Sequence, residues 1–157
     1  MDSFYLILSA LSANVCAQVL KPLFLYFRTK KFDFYQTVAS GGFPSSHSAT
    51  VSALSMACAV QYGLDSPYFA IAVIFSVIVI YDAVNVRYYA GRNIQLTHQL
   101  IQDLEEQGEI HLSAPIYDEK MKGVLGHKLI EAIGGIVLGI LVTMVWYPFF
   151  IGTKGGM

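Results

Sequence analysis

The chain has 157 residues, of which 55% are hydrophobic and only 13% charged, with a formal net charge of −1. Soluble domains carry about 25% charged residues and nucleic-acid binders need a basic surface, so this balance excludes both an ordinary soluble enzyme and a general nucleic-acid partner. It fits one small integral membrane domain over residues 1–157.

The first apolar run covers residues 3–27, long enough for a span that needs roughly 20 residues. Asp2 stands where a signal peptide carries lysine or arginine, so the run reads as a retained helix. Cys16 lies in this run and Cys58 in the next; they define neither a disulfide framework nor a redox compartment. Asn14, Gln18, Lys21 and Arg28 fall on one helical face. A polar stripe is costly in lipid unless it faces protein or a water-filled cavity. Lys21 and Arg28 therefore read as phosphate ligands, with snorkelling of Lys21 to the headgroups and surface anchoring by Arg28 as the alternatives.

The next loop ends in Gly41-Gly42-Phe43-Pro44-Ser45-Ser46-His47 and opens a short, Ala- and Ser-rich helix over residues 46–62. Ser45 suits the N-cap. Ser46 and His47 then sit in the first turn, where free backbone N–H groups and the positive end of the helix dipole favour phosphate. Capping explains one serine but not the adjacent His47, which reads as a site residue.

A third helix is expected over residues 68–90. Its apolar run is interrupted by Asp82, Asn85 and Arg87. A spacing of five is poor for a direct contact on an α-helix, so Arg87 is expected to reach another helix, its planar fork suiting phosphate. Asp82 is its orienting partner or one half of a plain structural pair. Residues 102–122 read as an exposed loop, and His98 and His111 carry no assigned role.

The fourth run covers residues 127–150. Gly135 and Gly139 have small-xxx-small spacing, which reads as close helix packing rather than a dimer motif. His127 and Glu131 stand at i,i+4; a carboxylate on one ring nitrogen fixes the tautomer and frees the other as a nucleophile. With no H-x-x-x-H pair and no cysteine cluster, neither a metal site nor a cofactor is expected.

The fold class expected is an all-α integral membrane bundle of about four transmembrane helices. Four spans put both termini on one side and Arg28, Lys30, Lys31, Arg92, Lys120 and Lys122 on the other. The positive-inside rule makes the lysine- and arginine-bearing side cytoplasmic and the termini non-cytoplasmic. Lys21, His47, Arg87 and His127 then gather near the cytoplasmic ends of their helices. A plasma (inner) membrane location follows, with the site facing the cytoplasm.

The ordered set Lys21…Arg28, Pro44-Ser45-Ser46-His47, Asp82…Arg87 and Gly126-His127…Glu131 resembles the type 2 phosphatidic acid phosphatase superfamily. More narrowly, it resembles its small divergent branch, labelled acid phosphatase/vanadium-dependent haloperoxidase-related. The resemblance covers nearly the whole chain and implies a helical fold with metal-independent phosphate ester hydrolysis. It implies His127 as the nucleophile, Glu131 as its orienting group and His47 as general acid and then base. It further implies Lys21, Arg28, Ser45, Ser46 and Arg87 as phosphate-binding residues, and a lipid phosphate or lipid diphosphate as substrate.

Three positions depart from the superfamily pattern. Thr29 replaces a proline, Ser46 replaces a glycine, and Met121 stands where an arginine is expected. Lys122 or Arg87 could substitute for that arginine, Arg87 being preferred. The rival reading is a non-catalytic membrane protein that binds an anionic headgroup or partner in the same cationic pocket. Membrane lipids are the expected surroundings in either case, and a homodimer is open, with no decisive motif for it.

Overall fold

The computed structural model describes residues 3–30, 32–34, 37, 41–106, 108 and 128–151. Its elements are α1 (Ser3–Thr29), α2 (Ser46–Tyr62), α3 (Pro67–Tyr81), a π-helical turn (Asp82–Val86), α4 (Arg87–Glu106) and α5 (Leu129–Ile151), with no strand among the described residues. Among the described residues, three helical stretches are long and apolar enough to cross a membrane: Ser3–Thr29, Pro67–Leu104 and Leu129–Phe150. The fourth expected span, α2, has 17 residues and rises only about 25 Å. It is also less apolar, because it is the central helix: α1, α3 and α5 all pack on it. A helix shielded by protein needs fewer lipid-compatible side chains.

The loop geometry explains where α2 begins and ends. Gly42, at φ +99, takes the left-handed backbone that favours glycine. Ser45 has extended backbone and its Oγ accepts from Ser48 N at 3.3 Å, a serine N-cap. The helix stops at Gly63, also left-handed at φ +88, whose N–H donates to Ala59 O. Ser66 then caps α3 by accepting from Phe69 N, with Pro67 in the first turn. So short a turn makes α2 and α3 antiparallel neighbours.

The contact between α1, α2 and α5 is built from small side chains. Ala13, Ala17, Ala49 and Ala53 form the buried cluster, with Leu138 and Val142 against it. Gly135 and Gly139 lie directly on the backbone of α2, facing Ser45 and Ala49 respectively. The small-xxx-small pair is thus used for packing within the chain. At the far end of the bundle, polar groups tie the helices together. Tyr5 Oη donates to Thr143 O, Thr143 Oγ1 donates to Ala53 O at 3.1 Å, and Trp146 Nε1 donates to Ser12 Oγ at 2.9 Å. Thr143 is fully buried. Replacing it by the isosteric valine is expected to cost about 0.6–1.7 kcal/mol, the range for hydrogen bonds between membrane helices. The check is the thermal midpoint of Thr143→Val in detergent.

The third segment departs from expectation. The helix does not stop near residue 90 but runs on to Glu106, so the first part of the expected 102–122 loop is helical; residues 109–122 lie outside the described residues. Counted from Pro67, 40 residues of helix rise about 60 Å, twice the roughly 30 Å hydrocarbon core. Polar α4 is therefore the part that extends beyond the apolar α3.

Candidate functional site

Three helix ends converge at one end of the bundle. The backbone N–H of Ser45, at the start of α2, donates to Glu131 O in the first turn of α5 at 2.9 Å. The last two turns of α1, the Gly42-Phe43 approach to α2 and the start of α5 enclose a cavity of about 460 Å³. Its charged lining is Lys21, Arg28, Lys128 and Glu131; its apolar lining includes Phe24, Phe43 and Ile130. Three cations face one carboxylate, so the cavity has the electrostatic character of an anion site.

Lys21 is only 2% exposed, and Glu131 is its compensating charge. Glu131 also serves its own helix. Its Oε2 accepts from Lys128 N at 3.1 Å, the return half of a capping box with Lys128 in the cap position. Phe43 packs edge-on against Phe24, with ring centroids 4.7 Å apart.

The loop residues named from the sequence are distributed differently. Ser45 and Ser46 are buried at 0% and 2%, and Ser45 Oγ is engaged by Ser48 N and Ser48 Oγ. His47 lies in the first turn of α2, half-buried, with Nδ1 enclosed by protein. From this loop the cavity wall takes Gly42 and Phe43. Deeper along α1, Asn14 Nδ2 donates to Thr50 Oγ1 at 2.9 Å. That bond ties the upper part of the polar stripe to α2, while Arg28 at its other end is exposed.

Arg87 has a direct partner. Its Nε donates to Asp82 Oδ2 at 2.7 Å, although an α-helix would not bring residues five apart together. The π-helical turn is the reason: Arg87 N donates to Asp82 O, an i→i+5 bond that places the two side chains one above the other. The expectation that Arg87 must reach another helix assumed regular α geometry. The pair is half-exposed and is not part of the described wall of the 460 Å³ cavity. Its neighbours Asn85, Tyr88 and Tyr89 line a second cavity of about 270 Å³ with Lys128 and Leu129. Lys128 thus borders both cavities.

Lys21, Arg28 and Glu131 therefore meet in one cavity, while Ser45, Ser46, Asp82 and Arg87 lie outside its described wall. His127, together with Gly126, Met121 and Lys122, lies outside the described residues. It directly precedes Lys128 in the chain. Lys128 is the residue that sequence reasoning missed. A signal was available: a cation at a helix start opposes the helix dipole, and a residue placed against its local preference invites a functional explanation. Among the described residues, no group of three His, Cys, Asp or Glu could hold a metal ion.

Apolar membrane-length helices and a cationic cavity at their converging ends define an all-helical membrane protein with an anion-binding character. The chain belongs to the divergent PAP2 family, whose model matches residues 3–142. It is similar to the uncharacterized membrane protein YuiD of Bacillus subtilis (strain 168), at 38% identity over 149 residues, covering 92% of this chain and 94% of that one. No solved structure matches.

Proposed function

We propose that this protein is a metal-independent membrane phosphatase that hydrolyses a lipid phosphate or lipid diphosphate through a phosphohistidine. The observation that carries the reading is the cavity in which Lys21, Arg28 and Lys128 face Glu131. Family membership supports it, since the chain belongs to a divergent branch of a phosphatase-related group.

His127 attacks phosphorus and the bond from phosphorus to the leaving oxygen breaks. His47, protonated, gives its proton to that oxygen. Water then attacks the phosphohistidine, His47 takes the water's proton, the P–N bond breaks and inorganic phosphate leaves. Glu131 orients His127. Lys21 and Arg28 stabilise charge on the phosphoryl oxygens and Lys128 adds a third cation to the cavity, whereas Ser45, Ser46 and the Asp82–Arg87 pair lie outside its described wall. Four spans, counting α2, put both termini outside and this end of the bundle in the cytoplasm of a plasma-membrane protein. The 17 residues of α2 meet the lower limit of about 17 for a span.

The test is phosphate release from a panel of lipid phosphates by purified protein in detergent with EDTA. Wild type is expected to release phosphate and His127→Ala to fall to background. No release from any lipid, with both proteins folded and monodisperse, would overturn the reading in favour of headgroup binding without catalysis. Met121 at the arginine position favours that second reading.

A further inference from the structure

Three of the four polar side chains on the α1 stripe are engaged. Asn14 is bonded to Thr50, and Lys21 and Arg28 line the cationic cavity. Gln18 lies between them, half-buried, and its Oε1 is closed off from solvent with no hydrogen-bond partner among the described residues. Burying an amide oxygen without a donor is costly, so a donor is expected within its reach. The register of α1 against α2 identifies that donor. Asn14 meets Thr50; further along α1, Lys21 shares a cavity wall with Phe43, which lies the same distance back from Thr50. The two helices therefore run antiparallel, and Gln18, one turn past Asn14, stands level with Ser46 and His47. The two side chains also share a flank. His47 lies about 60° round α2 from Thr50, towards Val51, whose carbonyl oxygen accepts from Ser76 of α3. Gln18 lies about 40° round α1 from Asn14, on the side away from Ala13 and Ala17, which pack with Leu138 and Val142 of α5. Both are thus set on the side of the α1–α2 contact remote from α5, and His47 Nδ1 is itself enclosed by protein.

We propose that Gln18 is the positioning residue of His47: its Oε1 accepts from Nδ1–H and leaves Nε2 as the nitrogen that gives and takes the proton. The inference rests on the phosphatase reading, in which His47 is general acid and then base, and adds which ring nitrogen works and what holds the other. The amide oxygen only accepts, so Nδ1 keeps its hydrogen through the cycle while Nε2 alternates between N–H and lone pair. A neutral amide fixes that tautomer without placing a further charge beside the ring. Gln18 Oε1 does not make this bond as the side chains stand; it requires a change of rotamer at Gln18, and hydrogen bonds at such sites commonly tighten only in the complex with substrate.

The test reads the histidine tautomers of the full chain in detergent, labelled on its histidines with nitrogen-15, from long-range proton–nitrogen spectra. They are recorded at about pH 8, where histidine is mostly neutral, without and with saturating inorganic phosphate. His47→Asn assigns the His47 signals by their loss. Wild type with phosphate is expected to hold His47 as the Nδ1–H tautomer. Gln18→Met, of similar length but without an acceptor, is expected to lose at least half of that population, and Gln18→Glu, which keeps an acceptor oxygen, to retain it. If Gln18→Met does not fold, Gln18→Asn, whose carboxamide stops one carbon short, takes its place with the same expectation. A wild-type ring in the Nε2–H form in both conditions would overturn the proposal, and so would an Nδ1–H form that loss of the Gln18 acceptor leaves unchanged. Phosphate release separates this from the phosphatase reading. Gln18→Met is expected to lower kcat roughly 10- to 100-fold, part of the roughly 100- to 10,000-fold that positioned proton transfer contributes. KM should change little, since Gln18 is not in the described cavity wall, and the substitution should have no further effect in a His47→Ala background. Tautomer control by Gln18 with no release by wild type keeps the pairing and removes the hydrolase; release that is indifferent to Gln18→Met removes the positioning role and keeps the hydrolase.

Discussion

Gly139→Ala is expected to destabilise the bundle, although alanine is the better helix former. On propensity alone the change would add about 1 kcal/mol of stability. The new methyl, however, would collide with the carbonyl oxygen of Ala49 and lie 2.9 Å from Ala53 N. Both are backbone atoms of a helix that is itself held on three sides, so neither can rotate away. Overpacking of this kind costs about 1–3 kcal/mol, which outweighs the propensity gain. Gly139→Val forces α2 and α5 further apart and is expected to leave little monodisperse protein. Gly135→Ala meets the Ser45 carbonyl in the same way and should behave like Gly139→Ala, with a fall in thermal midpoint on the order of 5 °C. Gly134→Ala is the contrast, because its methyl meets the side chain of Phe43. The ring can move, so the fold should survive. Size-exclusion profiles after a heating series, for all four variants, check the order.

Much of the architecture was legible because lipid imposes simple rules. Apolar length placed α1, α5 and the start of α3 within a few residues of where they lie, and the Ser45 cap marked the start of α2. The convergence of Lys21 and Arg28 with the start of the last helix followed from alternating helix direction. What the pattern could not reveal was irregular backbone. The π-helical turn pairs Asp82 with Arg87, but nothing in Asp-Ala-Val-Asn-Val distinguishes it from α-helix, so the sequence points Arg87 toward another helix, with Asp82 as its orienting partner or one half of a structural pair. The helical continuation to Glu106 was also hidden. Its polar composition matches a loop as well as a water-facing helix, and the apolar signal used to trace spans ends with α3. Lys128 was missed although a cation at a helix start is a local signal; that it faces Lys21 and Arg28 comes from which helix ends meet, a property of packing.

Lys21 provides the sharpest separation between stability and function. Lys21→Met keeps the length of the side chain and removes the charge, leaving Glu131 without the charge of Lys21. Breaking a buried pair by removing one partner costs about 3–5 kcal/mol; because Glu131 faces a cavity that also holds Arg28 and Lys128, the lower end, about 3 kcal/mol, is expected. Adding Glu131→Gln should return most of that stability. The glutamine carbonyl still accepts from Lys128 N, as Glu131 Oε2 does, and no buried charge remains unbalanced. Activity should not return with it. A charged contact to phosphate contributes about 1.5–3 kcal/mol, so phosphate release should fall by roughly 10- to 100-fold in the single variant. The double variant should fall at least as far, because it also lacks the carboxylate proposed to orient His127. Thermal midpoints and release rates, measured on the same four proteins of this cycle, check both halves. A lysine that only snorkelled to the headgroups would have its ammonium in water, and Lys21→Met would then change neither quantity much. With the side chain 2% exposed, that alternative has no route to solvent other than the cavity itself, and an ammonium held there meets whatever anion the cavity admits.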